Sequence, residues 1–305
     1  MFLIPKYSKL VIVTIILIFS HFVYAMSANN DKLELLKITP EVREFIRTMV
    51  IENVGSEDFL RSTLSQARVD QRIITMMDKA FPQIPYPEYR RKFLNPQLIE
   101  NGFLFYKKHS KLLEHSYNQY GVDPFIVVAI MGIESNYGDN QGQHGALNSL
   151  ATLAFHYPRR SKFFKNELKA FLALCSENNL DPFIVKSSFA GALGAPQFMP
   201  SSYLGYARTF ETRKNADLFL NRGDGIASIS NYLSTFGWAE KDMRFGNKKS
   251  IGNQKIKYEK VCISDTEHNL QKNNYRVLLR YNNSHNYVKV VFELARKVAS
   301  LADKK

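Results

Sequence analysis

The 305-residue sequence is poor in cysteine, tryptophan and histidine, with two, one and seven residues respectively. Two cysteines are too few for a disulfide-rich scaffold. Cys175 lies on the apolar face of a predicted helix, so a buried free thiol is favoured over a disulfide with Cys262. The spacing of His144, His156 and His285 is not that of metal ligands, and these histidines are expected to be structural.

Long apolar runs are also absent. A membrane-spanning helix needs roughly 18–20 apolar residues, and the N-terminal run Leu10–Phe19 is shorter. It follows Lys6 and Lys9 and precedes "VYA", Val23–Ala25, which fits the small-residue cleavage rule. The pattern predicts a signal peptide over residues 1–25 and a periplasmic protein. An uncleaved inner-membrane anchor is the alternative, because "SHFVYA" could extend the run.

Acidic residues are outnumbered: 28 Asp and Glu stand against 41 Lys and Arg, a net charge of +13. Such an excess suits an anionic envelope polymer or a membrane surface, but it is also what a generally basic proteome produces. Charge therefore identifies no partner by itself. Nucleic acid is not expected as a partner, because the predicted compartment contains none.

Helical spacing of apolar residues prevails, without internal repeats or a long linker. Helices are predicted within Thr39–Ala80, as one long helix from Asn95 to Gly121, and on either side of a Tyr-Pro break at 157–158. A further helix over 224–237 is predicted to be capped by Asp224. The stretch "PQIPYPEY", 82–89, is predicted to be a proline-broken connector.

Toward the C-terminus the pattern changes. "YRVLLRYN", 275–282, indicates a strand, and "YVKVVFELARKVASLA", 287–302, a terminal helix. The predicted fold class is mainly α (α+β). The predicted domain spans 26–305, with an active-site core at about 121–238 and a small β/helix part at about 248–305.

Glu134 is the most informative single position. The stretch "DPFIVVAIMGIES", 123–135, opens with an Asp-Pro cap and is apolar almost without break to Ile133, which favours a buried helix. A carboxyl at the end of such a helix is partly desolvated, and its pKa rises toward that of a general acid at neutral pH. The alternative is an acid that only hydrogen-bonds the following turn or pairs with Arg159 or Arg160.

Five ordered blocks give Glu134 a context: "YGVDPFIVVAIMGIESNYG", "ALNSLATLAFHYPRRSKFFKNEL", "SFAGALGAPQFMPSSYLGYA", "DGIASISNYLSTFGW" and "LLRYNNSHNYVKVVFELA". Together they resemble the membrane-bound lytic murein transglycosylase B family (glycoside hydrolase family 103) of the lysozyme-like superfamily, over Thr39–Ala302. The resemblance implies an α-rich, lysozyme-like fold with a groove for peptidoglycan glycan strands. Cell-wall machinery proteins are implied as further partners, and a monomer is expected.

The resemblance also assigns roles to matching positions, with Glu134 as the catalytic acid/base. The positions that match substrate-binding residues are Arg159, Arg160, Ser188, Gln197, Tyr281, Asn282 and Tyr287. Amide and hydroxyl groups can hydrogen-bond a sugar, and aromatic rings can lie on its faces. Structural alternatives stay open: Tyr287 in the core, Gln197 capping the turn at Pro196, and Arg160 in a salt bridge.

A second catalytic carboxylate is missing from the matching motifs. Most glycosidases use two, whereas Asp139, which follows Glu134, is typical of a turn. The resemblance then implies a lyase-type cleavage by one glutamate, which forms a 1,6-anhydro end on N-acetylmuramic acid. Two alternatives are a hydrolytic muramidase, in which water replaces the sugar's 6-hydroxyl, and a non-catalytic peptidoglycan-binding protein.

Well-known members of that family carry a calcium loop soon after the "SSYLGYA" block. Here the region is "RTFETRKNADLFLNRGD", 208–224. A calcium loop needs alternating oxygen ligands and a turn glycine. The available oxygens are those of Thr209, Glu211, Asn215 and Asp217. They are interrupted by Arg213 and Lys214, and the central glycine is lacking. The sequence predicts neither a calcium site nor another cofactor.

Overall fold

The computed structural model describes residues 33–79, 84–239 and 272–305. These residues form thirteen α-helices, one 3₁₀ turn at Pro158–Arg160, and four strands of two residues each. In chain order the helices are α1 (Pro40–Ile51), α2 (Glu57–Gln66), α3 (Gln71–Lys79), α4 (Tyr86–Phe93), α5 (Pro96–Lys108), α6 (Ser110–Tyr120), α7 (Pro124–Ser135), α8 (Ala146–His156), α9 (Ser161–Asn178), α10 (Pro200–Tyr206), α11 (Arg222–Thr235), α12 (Lys272–Tyr281) and α13 (His285–Ala302). The strands are β1 (Glu34–Leu35), β2 (Arg68–Val69), β3 (His144–Gly145) and β4 (Lys186–Ser187).

Three helix starts follow from their local sequence, as predicted. The side chain of Thr39 accepts a hydrogen bond from the Val42 N–H at the start of α1. The Asn95 side chain caps α5 and the Asp123 side chain caps α7 in the same way, with a proline next in each case. The Tyr-Pro break between α8 and α9 is confirmed as well.

The predicted long helix over 95–121 is wrong, because the structure divides it into α5 and α6 at His109. That residue has φ −109° and ψ 17°, outside helical values, and its ring packs on Phe105 with ring centroids 4.5 Å apart. The break lets the two halves contact different neighbours, α5 against α13 and α6 against α11. Gly121, with φ +67°, ends α6 as expected.

Two further predictions need correction. Asn221, and not Asp224, caps α11, and its side chain accepts the Asp224 N–H at 3.2 Å. The connector predicted at "PQIPYPEY" is wrong from Tyr86 onward, where α4 begins, since proline is tolerated in a first helical turn.

The strand predicted at 275–282 is also wrong, since α12 covers most of that stretch. The buried positions Asn274, Val277 and Leu278 recur at helical spacing. A short apolar run does not by itself distinguish a strand from a helix. The terminal helix is confirmed as α13. The signal peptide, Cys262 and much of the predicted β/helix part lie outside the described residues.

Helix α7 is the centre of the fold from Leu35 onward, which forms one compact unit. Every residue from Pro124 to Gly132 is buried, and α13, α5, α11 and α6 pack around the helix. A helix that is apolar on all sides is typical of a core position. Glu134 therefore lies at the end of a helix that four neighbouring helices hold in place.

A second packed group lies beside this centre. Helix α9 contacts both α8 and α10, and Cys175 is buried on it as a free thiol. Strands β3 and β4 pair antiparallel, with His144 opposite Ser187. Within residues 33–79, 84–239 and 272–305, each helix is too short or too polar to span a bilayer.

Candidate active site

Glu134 is the penultimate residue of α7, and the chain turns sharply after it. Asn136, Tyr137 and Gly138 have positive φ angles of 49°, 62° and 93°. Two consecutive non-glycine residues with positive φ are uncommon, and such strained backbone is typical of functional sites. Glu134 itself is half-buried. The turn thus leads the backbone away directly beyond the carboxyl.

Neighbouring segments hold this turn. The Ser135 hydroxyl donates to the Ala195 carbonyl at 2.6 Å and accepts the Gly138 N–H at 2.9 Å. The Tyr137 hydroxyl donates to the Leu98 carbonyl at 2.7 Å. Because these partners come from separate parts of the chain, the position of Glu134 depends on tertiary contacts as well as on α7.

Three tyrosines lie close enough to Glu134 for its charge to raise their pKa values, although burial is the larger cause. They are Tyr89 on α4, Tyr281 at the end of α12 and Tyr287 in the first turn of α13. The rings of Tyr281 and Tyr287 are parallel, with centroids 6.3 Å apart, and the Tyr281 hydroxyl donates to the Pro196 carbonyl at 2.7 Å. These three tyrosines form an aromatic wall along one side of Glu134.

Burial raises the pKa of Glu134 from 4.5 to about 7. The Tyr287 hydroxyl faces this carboxyl and lowers its pKa, against the effect of burial. That hydroxyl is buried and has no partner of normal hydrogen-bond geometry within the described residues. The result is a carboxyl that is protonated in a large fraction of molecules at neutral pH, as a general acid requires.

No other carboxylate among the described residues contributes to this pKa. Asp139 is exposed, and its N–H closes the turn on the Asn136 carbonyl at 3.3 Å, in agreement with its predicted turn role. The site as described thus offers one acid that can act in the chemistry.

Gln197 lies in the turn beside the aromatic wall, directly after Pro196. Its φ of +51° is unusual for a residue with a side chain. The amide nitrogen donates to the carbonyls of Gly194 and Gln141 at 2.9 and 3.1 Å, which orients the side chain. The predicted capping of this turn therefore occurs, and it leaves the amide oxygen as an acceptor.

Ser188 follows β4 and is half-buried, and its hydroxyl accepts the Ala192 N–H at 3.0 Å. Asn282 is exposed directly after Tyr281. No described protein group is hydrogen-bonded to its side-chain amide. Both side chains can accept or donate further hydrogen bonds to a ligand. Their substrate-binding role stays a prediction.

The two predicted arginines are not in contact with these groups. Arg159 is exposed and forms a salt bridge with Asp78 at 3.4 Å. The Arg160 guanidinium lies over the Phe163 ring, 4.2 Å from its centroid, and the Phe164 ring, 5.2 Å away. Their role in substrate binding stays a prediction. The salt-bridge alternative was predicted for Arg160, whereas among the described residues Arg159 forms a salt bridge and Arg160 packs on aromatic rings.

Three residues of the site were missed by sequence reasoning. Tyr89 lies on a helix that was interpreted as a connector. Gln141 and Arg222 each donate to the carbonyls of Gly138 and Phe219, at distances between 2.7 and 3.1 Å. They join the turn after Glu134 to the segment before α11. No local pattern marks them, because one partner of each is a backbone carbonyl about 80 residues away in sequence.

In the part of the chain that the structure describes, no three His, Cys, Asp or Glu side chains are grouped so as to hold a metal ion. His285 instead shares a 2.6 Å hydrogen bond with the Tyr275 hydroxyl.

Comparison with known proteins gives one family match and several relatives. Residues 37–261 match the family described as "Transglycosylase SLT domain". The chain is 36% identical over 213 residues to membrane-bound lytic murein transglycosylase B of Escherichia coli (strain K12), which covers 67% of this chain. The chain spans only 59% of the length of that relative.

Solved structures are similar over most of the chain. The E. coli lytic transglycosylase SLT35 in complex with calcium has a TM-score of 0.74 and 31% identity, covering 91% of this chain and 98% of its own. SltB3 from Pseudomonas aeruginosa in complex with NAG-anhNAM-pentapeptide has a TM-score of 0.68 and 25% identity, covering 83% and 77%. The predicted mainly α, lysozyme-like fold class is confirmed.

Proposed function

The chain belongs to the transglycosylase SLT domain family, and we propose that it is a lytic murein transglycosylase. Its proposed substrate is the β-1,4 bond between N-acetylmuramic acid and N-acetylglucosamine in peptidoglycan. One observation carries the proposal. Glu134 lies at the end of a buried helix beside the aromatic wall, and it has a pKa of about 7 and no carboxylate partner among the described residues. The relatives named above support the substrate class.

In the first step, protonated Glu134 donates its proton to the glycosidic oxygen. The bond from that oxygen to C1 of N-acetylmuramic acid breaks, and N-acetylglucosamine leaves as an alcohol. Positive charge develops at C1. The substrate's own acetamido carbonyl stabilises that charge, which makes a second protein carboxylate unnecessary.

In the second step, Glu134 acts as the base. Its carboxylate accepts the proton of the 6-hydroxyl on the same sugar, and the 6-oxygen forms a bond to C1. The product is a 1,6-anhydro end, and Glu134 is protonated again for the next cycle. Water is not consumed. Because the nucleophile belongs to the substrate, positioning supplies much of the rate.

The residues around Glu134 suit these steps. Tyr281 is partly exposed and offers an aromatic face to a sugar ring. Tyr287 is buried, with 1% of the residue exposed, so it lies in the core, as the structural alternative predicted, and acts on Glu134 and not on a sugar face. We assign the acetamido and hydroxyl groups of the substrate to Ser188, Gln197 and Asn282, whose side chains have free hydrogen-bonding capacity. Arg159 and Arg160 lie on the outer surface, and we assign them to more distant parts of an anionic glycan strand.

The proposal requires neither a metal nor an organic cofactor, because one glutamate and the substrate hydroxyl supply both proton transfers. We further propose an exported, periplasmic, monomeric protein that works on the cell wall beside cell-wall machinery proteins. The net charge of +13 suits an anionic polymer.

Mass spectrometry of digested peptidoglycan tests the function. A 1,6-anhydro end is about 18 Da lighter than a reducing end, because intramolecular attack replaces attack by water. We expect the purified protein to release muropeptides with the lighter end. Reducing ends alone would instead support a hydrolytic muramidase, and an absence of any cleavage would support a non-catalytic peptidoglycan-binding protein.

The pH profile should respond to Tyr287. The first step needs protonated Glu134, so kcat/KM of the wild type should fall as pH rises through about 7. Tyr287→Phe removes the group that lowers the pKa of Glu134, so the falling limb should move to higher pH. The measurement is kcat/KM against pH.

Tyr106→Phe is the matched control for this profile. Tyr106 is a partly buried tyrosine on α5, and its hydroxyl is not influenced by the charge of Glu134. Its profile should match the wild type. A falling limb that stays in place or moves to lower pH in Tyr287→Phe would contradict the assignment.

A further inference from the structure

The segment 208–224, which leads from α10 into the first turn of α11, is organised around the guanidinium of Arg213. The Arg213 Nε donates to the Glu211 carboxylate at 2.9 Å, and its Nη1 donates to the Asn215 carbonyl at 3.2 Å. Its Nη2 donates to the carboxylate of Asp224. Oxygens from three residues therefore converge on a single guanidinium.

Other oxygens of the 208–224 segment are already engaged. The Asp217 carboxylate accepts the N–H groups of Phe219 and Leu220, at 2.9 and 3.0 Å. The Asn221 side-chain oxygen accepts the Asp224 N–H at 3.2 Å. Calcium takes 6 to 8 oxygen ligands. A set of oxygens committed to internal donors does not fit that requirement.

The buried carboxylate of Asp224 is the reason that this segment needs the positive charge of Arg213. The Asp224 carboxylate is buried, with 1% of the residue exposed, and it also accepts the Asp217 N–H. A buried carboxylate is costly unless it is paired and hydrogen-bonded. Arg213 is less than a third exposed. The guanidinium thus supplies the counter-charge that would otherwise have to come from solution.

The 208–224 segment also supports the active site. The Leu218 carbonyl accepts the Ala195 N–H at 2.8 Å, beside the turn that carries Gln197. The Phe219 carbonyl is bridged to the turn after Glu134 by Arg222, as described above. A change in the shape of this segment would therefore reach both turns that flank the catalytic acid.

We propose that Arg213 is a built-in structural cation that holds the 208–224 segment in place of a bound metal ion. The segment then keeps its shape, and supports the active-site turns, without calcium. A similar protein, with 31% identity, was solved in complex with calcium. The inference concerns stability and stands whether or not the proposed cleavage is correct.

Thermal unfolding of the full chain tests this inference. The wild type should melt at the same temperature in EDTA and in calcium chloride at about 10 mM. Arg213→Met should lower Tm by about 5–10 °C in both buffers, because an uncompensated buried carboxylate remains. Arg61→Met is the matched control, since Arg61 pairs with Glu57 on the surface of α2, and its Tm should change by about 1 °C or less. A calcium-dependent rise in the wild-type Tm, or an Arg213→Met variant that melts like the control, would overturn the inference.

A double-mutant cycle keeps the inference testable if Arg213→Met folds poorly. Asp224→Asn removes the buried charge while keeping an oxygen for the Asp217 N–H. The combined Arg213→Met and Asp224→Asn variant should therefore melt above Arg213→Met alone. Additive losses in Tm would show that the two side chains act independently and would overturn the pairing.

Discussion

Glu134→Gln should abolish nearly all peptidoglycan cleavage, lowering kcat/KM about a thousandfold or more. The amide has the shape of the carboxyl but can neither donate a proton to the glycosidic oxygen nor accept one from the 6-hydroxyl. General acid and base catalysis each contribute about 10²–10⁴ in rate. The loss should appear in kcat, measured as release of soluble muropeptides, because the variant keeps the substrate-binding side chains around position 134.

The same variant should be more stable than the wild type at alkaline pH. The pKa of Glu134 is raised by folding, from 4.5 to about 7, so its stabilising contribution is complete below pH 4.5 and is lost as pH rises through 7. The gain in Tm from Glu134→Gln should therefore be larger at pH 8 than at pH 4.5. Glu44→Gln, at an exposed position on α1, is the control and should change neither activity nor Tm. A Glu134→Gln variant that keeps cleaving would refute the catalytic assignment.

Gly142→Ala should both destabilise the protein and impair its activity. Gly142 has φ +95°, and a Cβ there would lie 2.1 Å from the Ser187 carbonyl oxygen and 2.5 Å from the Ser188 nitrogen. Backbone must move to relieve that overlap. We expect a loss of about 2–4 kcal/mol in the free energy of unfolding. We also expect at least a tenfold loss in kcat/KM, since small displacements of positioning groups are costly.

Gly205→Ala is the matched control for this substitution. Gly205 lies in α10, and a Cβ there would meet nothing within 4 Å. Alanine is also the better helix former, so stability should be unchanged or slightly higher. Urea unfolding and kcat/KM for both variants are the measurements. Equal behaviour of the two would mean that the close approach of Gly142 to β4 does not position the site.

Local features of this fold could be predicted from the sequence. The caps at Thr39, Asn95 and Asp123 involve partners two or three residues away, so short patterns suffice to find them. The burial of α7 follows from an apolar run with no polar face. The environment of Glu134 could be predicted for the same reason, since the carboxyl ends that run.

Features that depend on contacts between distant segments could not be predicted. The break at His109 reflects the different neighbours of α5 and α6, which the helical pattern does not contain. Gln141 and Arg222 bind backbone carbonyls, which any residue supplies. Tyr89 reaches Glu134 only because α4 packs against α13. The short run that forms α12 has a pattern that fits helix and strand alike.

Digestion of peptidoglycan in water labelled with oxygen-18 tests the central claim most directly. If Glu134 delivers the 6-hydroxyl to C1, each new N-acetylmuramic acid end is a 1,6-anhydro sugar without the label. Mass spectrometry should then give the same product masses in labelled and ordinary water, and Glu134→Gln should give none of these products. New reducing ends that carry oxygen-18 would contradict the account, because water would then be the nucleophile.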